Sequence, residues 1–150
     1  AYRKRPKRRT VLSPKFYFSD IGVVNHLAKR GNLAPGGELF GKAFENWVHH
    51  ELRCYLSYHR SQSELSYWQL TTGVEVDFIV GTMACAIEAK SSNKIRDSHL
   101  KGLRELKREY PQVKSLIVVS TEAASRKTED GIHILSLADF LAELWENQLI

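Results

Sequence analysis

Two cysteines are all this 150-residue chain offers for cross-linking, and Cys54 and Cys85 stand 31 residues apart. With no CxxC pair, neither a disulfide framework nor a zinc knuckle is indicated, and a reducing cytoplasm is the expected location. Only 4 prolines and 9 glycines are present, too few for a disordered linker protein or a collagen-like repeat. No apolar run approaches the roughly 18 residues of a membrane span, and no hydrophobic segment follows the basic N-terminus as it would in a secretory signal. The length excludes a large multidomain enzyme and suits one hydrophobic core. A chain that opens on Ala1 rather than Met reads as a fragment or a processed product.

The net charge of +5 is local. Residues 1–10 carry six basic side chains and no acid (Arg3, Lys4, Arg5, Lys7, Arg8 and Arg9), which leaves 16 basic against 17 acidic groups in the remainder, a balance of −1. Residues 1–14 therefore read as a basic arm or linker end, and residues 15–150 as the domain proper.

Lys15-Phe16-Tyr17-Phe18 reads as a short strand, followed by a helix capped by Ser19 or Asp20 that runs to about Lys29 and stops at Gly31-Asn32. From Glu38 to about His59, Phe40, Phe44, Trp47, Val48, Leu52, Tyr55 and Leu56 recur at steps of three and four, the spacing of a long helix with one buried stripe. Glu45 falls at the edge of that stripe and Glu51 near its middle, and an acid on an apolar face needs a partner. Three strands are predicted next, Ser66–Leu70, Val74–Val80 and Met83–Lys90, the last two joined by a tight Gly81-Thr82 hairpin. Then come a helix over Ile95–Glu109, a buried strand over Val113–Val119, a short strand over Ile132–Leu135, and a helix opened by Ser136-Leu137-Ala138-Asp139. This order is that of an α/β fold with a mixed central sheet flanked by helices.

Two familiar patterns fail. Gly36–Ala43 has the GxxxxGK outline of a phosphate-binding loop, but Ala43 stands where a hydroxyl should meet magnesium and no hydrophobic strand precedes it. His50-Glu51 begins an HExxH zinc motif, and Cys54 stands in the place of its second His.

What survives is a set of acids inside two otherwise apolar strands. Glu75 and Asp77 lie on the first, and Glu88-Ala89-Lys90 follows eleven residues after Asp77 on the second. A charge buried there is costly without a counter-charge or a metal. Alternate strand residues share a face, so Glu88 and Lys90 point together and Glu75 points with Asp77. Antiparallel pairing brings Asp77 beside Glu88, and two carboxylates with an adjacent ammonium form a hard oxygen site suited to Mg²⁺ or Mn²⁺. Glu105-Leu106-Lys107 is a second ExK triplet, but on a helix its ends lie about 200° apart and do not converge.

Glu45 on a helix, Asp77 on a strand and Glu88-Ala89-Lys90 on the next resemble the PD-(D/E)XK nuclease superfamily. The chain is similar in particular to the C-terminal domain of unknown function found in prokaryotic AAA+ ATPases. Lys15-Phe16-Tyr17-Phe18-Ser19-Asp20-Ile21-Gly22, Gly41–Val48 with Glu51-Leu52, Glu75–Phe78 and Ile87–Ser92 carry the similarity, with weaker support at Lys101-Gly102-Leu103, Gly131-Ile132 and Phe140-Leu141. Val76 stands in place of the signature Pro. The resemblance implies a restriction-endonuclease-like αβββαβ core and a magnesium- or manganese-dependent endonuclease acting on DNA. It implies metal ligands at Asp77, Glu88 and the Ala89 carbonyl, with Glu45 completing the site through a water or a second ion, and catalytic roles for Glu45, Asp77, Glu88 and Lys90. It also implies an upstream ATPase domain of the same polypeptide as a partner, with DNA contacts from Arg3, Lys4, Arg5, Lys7, Arg8 and Arg9 in the arm. The alternative is a catalytically inactive nuclease-fold module that binds DNA or a partner protein. Glu75 is a possible assisting acid, and Glu51 is either a further site acid or one tied down by a buried basic group.

Overall fold

The computed structural model describes residues 1–2, 8–11 and 13–150. Among these residues four α-helices, α1 (Ile21–Leu27), α2 (Glu38–Tyr58), α3 (Lys101–Glu109) and α4 (Leu137–Trp145), surround six strands. These are β1 (Leu65–Gln69), β2 (Glu75–Val80), β3 (Cys85–Lys90), β4 (Ser115–Ser120), β5 (Arg126–Lys127) and β6 (His133–Ser136). They form one mixed sheet in the order β1-β2-β3-β4-β6-β5. β1, β2 and β3 pair antiparallel, β3, β4 and β6 run parallel, and β5 closes the far edge antiparallel to β6. The α/β class and the mixed, helix-flanked sheet are as the sequence pattern implies. Among the described residues no helix is long and apolar enough to cross a membrane.

Each face of the sheet has its own core. α2 and α4 bury Phe44, Val48, Leu52, Phe140 and Leu144 against Phe78, Ile87, Ile117 and Val119. α3 buries Leu103 and Leu106 against Val76, Ile79, Ala86 and Val118 on the opposite face. The nearly uninterrupted apolar run of β4 is therefore covered on both sides, as a central parallel strand requires. α3 lies so close to β2 that a Cβ on Gly102 would overlap the Glu75 backbone carbonyl. Gly102→Ala is accordingly expected to push the helix off the strand at a cost of about 2 to 3 kcal/mol, in the range for overpacked cores. Thermal unfolding measures it: a midpoint drop of roughly 5 to 10 °C is expected for a domain this size, and an unchanged midpoint would show that the helix shifts freely.

Four local expectations need correction. Lys15–Phe18 is not a strand: it is irregular chain, because the Asn46 side chain takes the place of a strand partner, accepting from the Phe18 N–H at 2.8 Å and donating to the Phe18 carbonyl at 2.9 Å. The β2–β3 connection is a four-residue turn, since Val80 pairs with Cys85; Gly81 and Met83 both adopt positive φ there, and the Met83 side chain enters the core, which the sequence had placed in the strand. The helix expected from Ile95 starts later, with a single 3-10 turn over Asp97–Leu100 leading into α3. Among the described residues Glu51 meets no buried base; its neighbour is the Trp145 indole N–H at 3.4 Å.

The described part of the basic arm runs along the outer edge of β1. The Val11 N–H donates to the Gln69 carbonyl at 2.8 Å, Thr10 bridges Leu70, and Tyr2 packs edge-on against Tyr110 with its N–H on the Tyr67 carbonyl. An otherwise open sheet edge is thereby covered.

Candidate functional site

The acids gather where β2 begins and β3 ends, at the end of the hairpin away from its turn. The register between β1 and β2 slips there: Ser66 faces Ile79 and Trp68 faces Val76, so Tyr67 alone stands opposite both Asp77 and Phe78. Such a bulge re-aims side chains: Phe78 enters the α2 core, and the Asp77 carboxylate shares the Lys15 ammonium with Glu45 of α2. Glu45, one helical turn before His49 on α2, arrives on the same side. Glu88 and Lys90 keep plain strand alternation, with Ile87 and Ala89 in the α2 core.

Asp77 and Glu88 are almost wholly buried, 3% and 4% exposed. The two oxygens of Asp77 are both engaged, one accepting the Ala89 N–H at 3.0 Å and the other facing the Lys15 ammonium at 3.2 Å. Glu88 is half satisfied: Oε1 pairs with Lys90 Nζ at 2.5 Å, whereas Oε2 is buried with no hydrogen-bond partner. Burial first, and then the charge of Asp77, push the Glu88 carboxyl up to about 8, and Lys90 counteracts this only in part. Asp77 is raised as well, by burial and by Glu45. Burial alone would lower Lys90, but the charges of Glu88 and Asp77 outweigh it and hold the ammonium above its ordinary value. Glu75, at the edge of the group, lies 3.6 Å from Lys15.

Two residues of the cluster were not foreseen as site residues. Lys15 contacts Glu45 at 3.2 Å as well as Asp77, and the Tyr17 hydroxyl donates to the same Glu45 oxygen at 2.7 Å. Tyr17 is fixed by stacking on His49, ring centroids 4.1 Å apart. The signal was present as Lys-x-Tyr in an extended segment, whose alternate side chains share a side.

An open cleft of about 460 Å³ reaches the cluster between β2 and α3, with Glu75, Glu88, Lys90, His99 and Lys101 in its wall. A second depression of about 480 Å³ shares Lys90 and His99 with it and is lined also by Ser92 and Asn93. A larger hollow, about 1000 Å³, lies at the turn end of the hairpin near Tyr2, Arg53 and Gly81, away from the acid cluster. Of the arm residues expected to touch DNA, Arg8 is paired with Glu105 at 2.8 Å and Glu109 at 2.7 Å, Arg9 is exposed, and Arg3, Lys4, Arg5 and Lys7 lie outside the described residues.

Among the described residues no three His, Cys, Asp or Glu side chains form a ready metal centre, and Lys15 and Lys90 are paired with several of the acidic oxygens. Asp77, Glu88 and the Ala89 carbonyl are nonetheless oxygen donors of the kind that a hard divalent ion takes, and magnesium is held by one or two carboxylates and keeps several waters. The unpartnered Glu88 oxygen is the vacant valence such an ion would satisfy.

Searches of curated proteins and of solved structures return no match. One family model does match, that of a domain of unknown function, DUF4143, over residues 40–140. That span runs from the first turn of α2 to Phe140 on α4 and takes in Glu45, Asp77, Glu88 and Lys90. The chain therefore belongs to the DUF4143 family.

Proposed function

We propose that this domain is a divalent-metal-dependent phosphodiesterase that cleaves DNA, with the restriction-endonuclease-like core of the PD-(D/E)XK superfamily. One observation carries the reading: a buried Glu88 oxygen without a partner, beside Asp77 and at the wall of an open cleft. Buried carboxylates are ordinarily paired, and one left unpaired at a cleft is a candidate cation site. Asp77, Glu88 and the Ala89 carbonyl would hold Mg²⁺ or Mn²⁺. When bound, such an ion polarises a scissile phosphate and lowers the pKa of a water. Lys90, a third exposed at its side chain, reaches into the cleft with a firmly held proton and stabilises the charge that grows on the phosphate in the transition state. Glu45 aligns Lys15 and Tyr17 at the back of the site. In a longer polypeptide the domain would follow an AAA+ ATPase domain, as the resemblance implies, and the exposed Arg9 with Arg3, Lys4, Arg5 and Lys7 would add non-specific affinity for the DNA backbone.

The test is a plasmid and branched-DNA cleavage assay with Mg²⁺ or Mn²⁺, comparing the parent with Asp77→Asn. Cleavage that needs the ion and disappears in the variant is expected. Activity that survives EDTA, or that Asp77→Asn retains, would sink the reading. A second reading, an inert nuclease-fold module that binds DNA or protein, is favoured by one feature: Lys15 and Lys90 already compensate most of the acids. A folded parent protein that cleaves no DNA under any of these conditions would support it.

A further inference from the structure

Lys15 is a cation that the chemistry proposed above leaves unexplained. Its ammonium lies 3.2 Å from Glu45 Oε1, 3.2 Å from Asp77 Oδ1 and 3.6 Å from Glu75 Oε2, so one group serves three carboxylates from α2 and β2. The segment that carries it is held at both ends. Near one end the Tyr67 hydroxyl donates to the Ser13 carbonyl; at the other the Asn46 amide exchanges two hydrogen bonds with the Phe18 backbone. Between them the Tyr17 hydroxyl is bound to the same Glu45 oxygen as Lys15, and the Lys15 ammonium lies 5.5 Å from the centre of the Tyr67 ring. Glu88 is outside this arrangement. It is served by Lys90 and keeps one unpartnered oxygen.

We propose that Lys15 is a tethered second cation of the site: it takes the place among Glu45, Asp77 and Glu75 that a second divalent ion would fill, and so limits the site to one ion on the Asp77–Glu88 side. The inference rests on the divalent-ion reading and adds the number of ions and what sets it. Spacing supports it. Oxygens 3.2 Å from the ammonium nitrogen suit a lysine, whereas a hard cation draws its ligands to about 2.0 to 2.6 Å. Charge supports it too, because an ammonium fixed within a half-buried group of acids repels any dication brought to the same oxygens. Without it, three acids would face one another uncompensated and recruit an ion in its place.

The experiment is a Mn²⁺ titration by calorimetry, with thermal unfolding in EDTA and in Mn²⁺, on the parent, Lys15→Gln and Lys15→Arg. Lys15→Gln is expected to melt lower in EDTA, to gain more from Mn²⁺ than the parent does, and either to take up a second ion or to bind the first about tenfold more tightly, as removal of one like charge implies. Lys15→Arg, which keeps the charge, is expected to follow the parent. Equal stoichiometry, affinity and Mn²⁺-dependent gain in the parent and Lys15→Gln would overturn the role of Lys15 while leaving the metal-dependent reading in place. Binding by Lys15→Gln but not by the parent would uphold Lys15 as the resident cation and remove the parent's metal-dependent activity. No response in any of the three would overturn both. If Lys15→Gln is unfolded in EDTA, refolding by Mn²⁺ but not by sodium chloride of equal ionic strength upholds the proposal, and failure to refold with Mn²⁺ overturns it.

Discussion

Lys90→Ala is expected to cleave DNA at least about 100-fold more slowly than the parent, the usual consequence of losing one charge directed at a transition state. The competing account is structural: Lys90 pairs with Glu88 at 2.5 Å, and breaking a buried pair ordinarily destabilises a protein strongly. The protonation state of Glu88 separates the two. With its carboxyl held up to about 8, Glu88 is mostly neutral at pH 6 to 7 in the metal-free protein. Removing Lys90 under those conditions strands no full charge, so the thermal midpoint should stay within a few degrees of the parent's while the rate collapses. Unfolding and cleavage measured on one preparation decide the matter. A rate loss that vanishes after correction for the folded fraction would make Lys90 a structural residue only.

Much of the fold was legible because its signals are periodic. The three- and four-residue steps of α2 and the uninterrupted apolar run of β4 each admit few alternatives, and the Ser136 cap accepting the Asp139 N–H fixes the start of α4. What was missed depends on contacts distant in sequence. Lys15–Phe18 has the composition of a strand, but a single side chain, Asn46, satisfies the Phe18 backbone 28 residues away. No local propensity encodes that exchange. The site was legible in part for the same reason. Glu88 and Lys90 follow from strand alternation, and the approach of Asp77 to Glu88 follows from an antiparallel hairpin, whereas the Ala89 N–H donating to the Asp77 carboxylate does not. The bulge opposite Asp77 leaves no mark in the sequence, nor does the arrival of Lys15 among the acids, since both are set by how β1 and the preceding segment dock. The strong basicity of residues 1–14 suggested an arm or linker end, yet Arg8 is held by two acids of α3, a pairing that the charge count could not anticipate.

Glu88→Gln should make the metal-free domain more stable, and by an amount that grows with pH. The Glu88 carboxyl is raised from 4.5 to about 8 in the folded protein, chiefly by burial and then by Asp77. Between those values the folded state holds a proton that the unfolded chain has released. Stability therefore falls as pH rises through this window, because the slope follows the protons bound by the unfolded state minus those bound by the folded state. Each unit of separation is worth about 1.4 kcal/mol, so the group costs the parent on the order of a few kcal/mol by pH 8. Glutamine occupies nearly the same space, can still accept from Lys90, and has no proton to lose. The midpoint of Glu88→Gln is expected to match the parent's near pH 5 and to exceed it by several degrees, roughly 5 to 10 °C, near pH 8. Mn²⁺ should narrow the gap at pH 8 by stabilising the parent alone, since a bound ion needs the ionised carboxylate that the variant lacks. Melting curves of the two proteins across pH 5 to 8, with and without Mn²⁺, are sufficient. Midpoints that run parallel over the whole range would mean that Glu88 is ionised throughout and fully compensated by Lys90, and the case for a cation at its free oxygen would lose its main support.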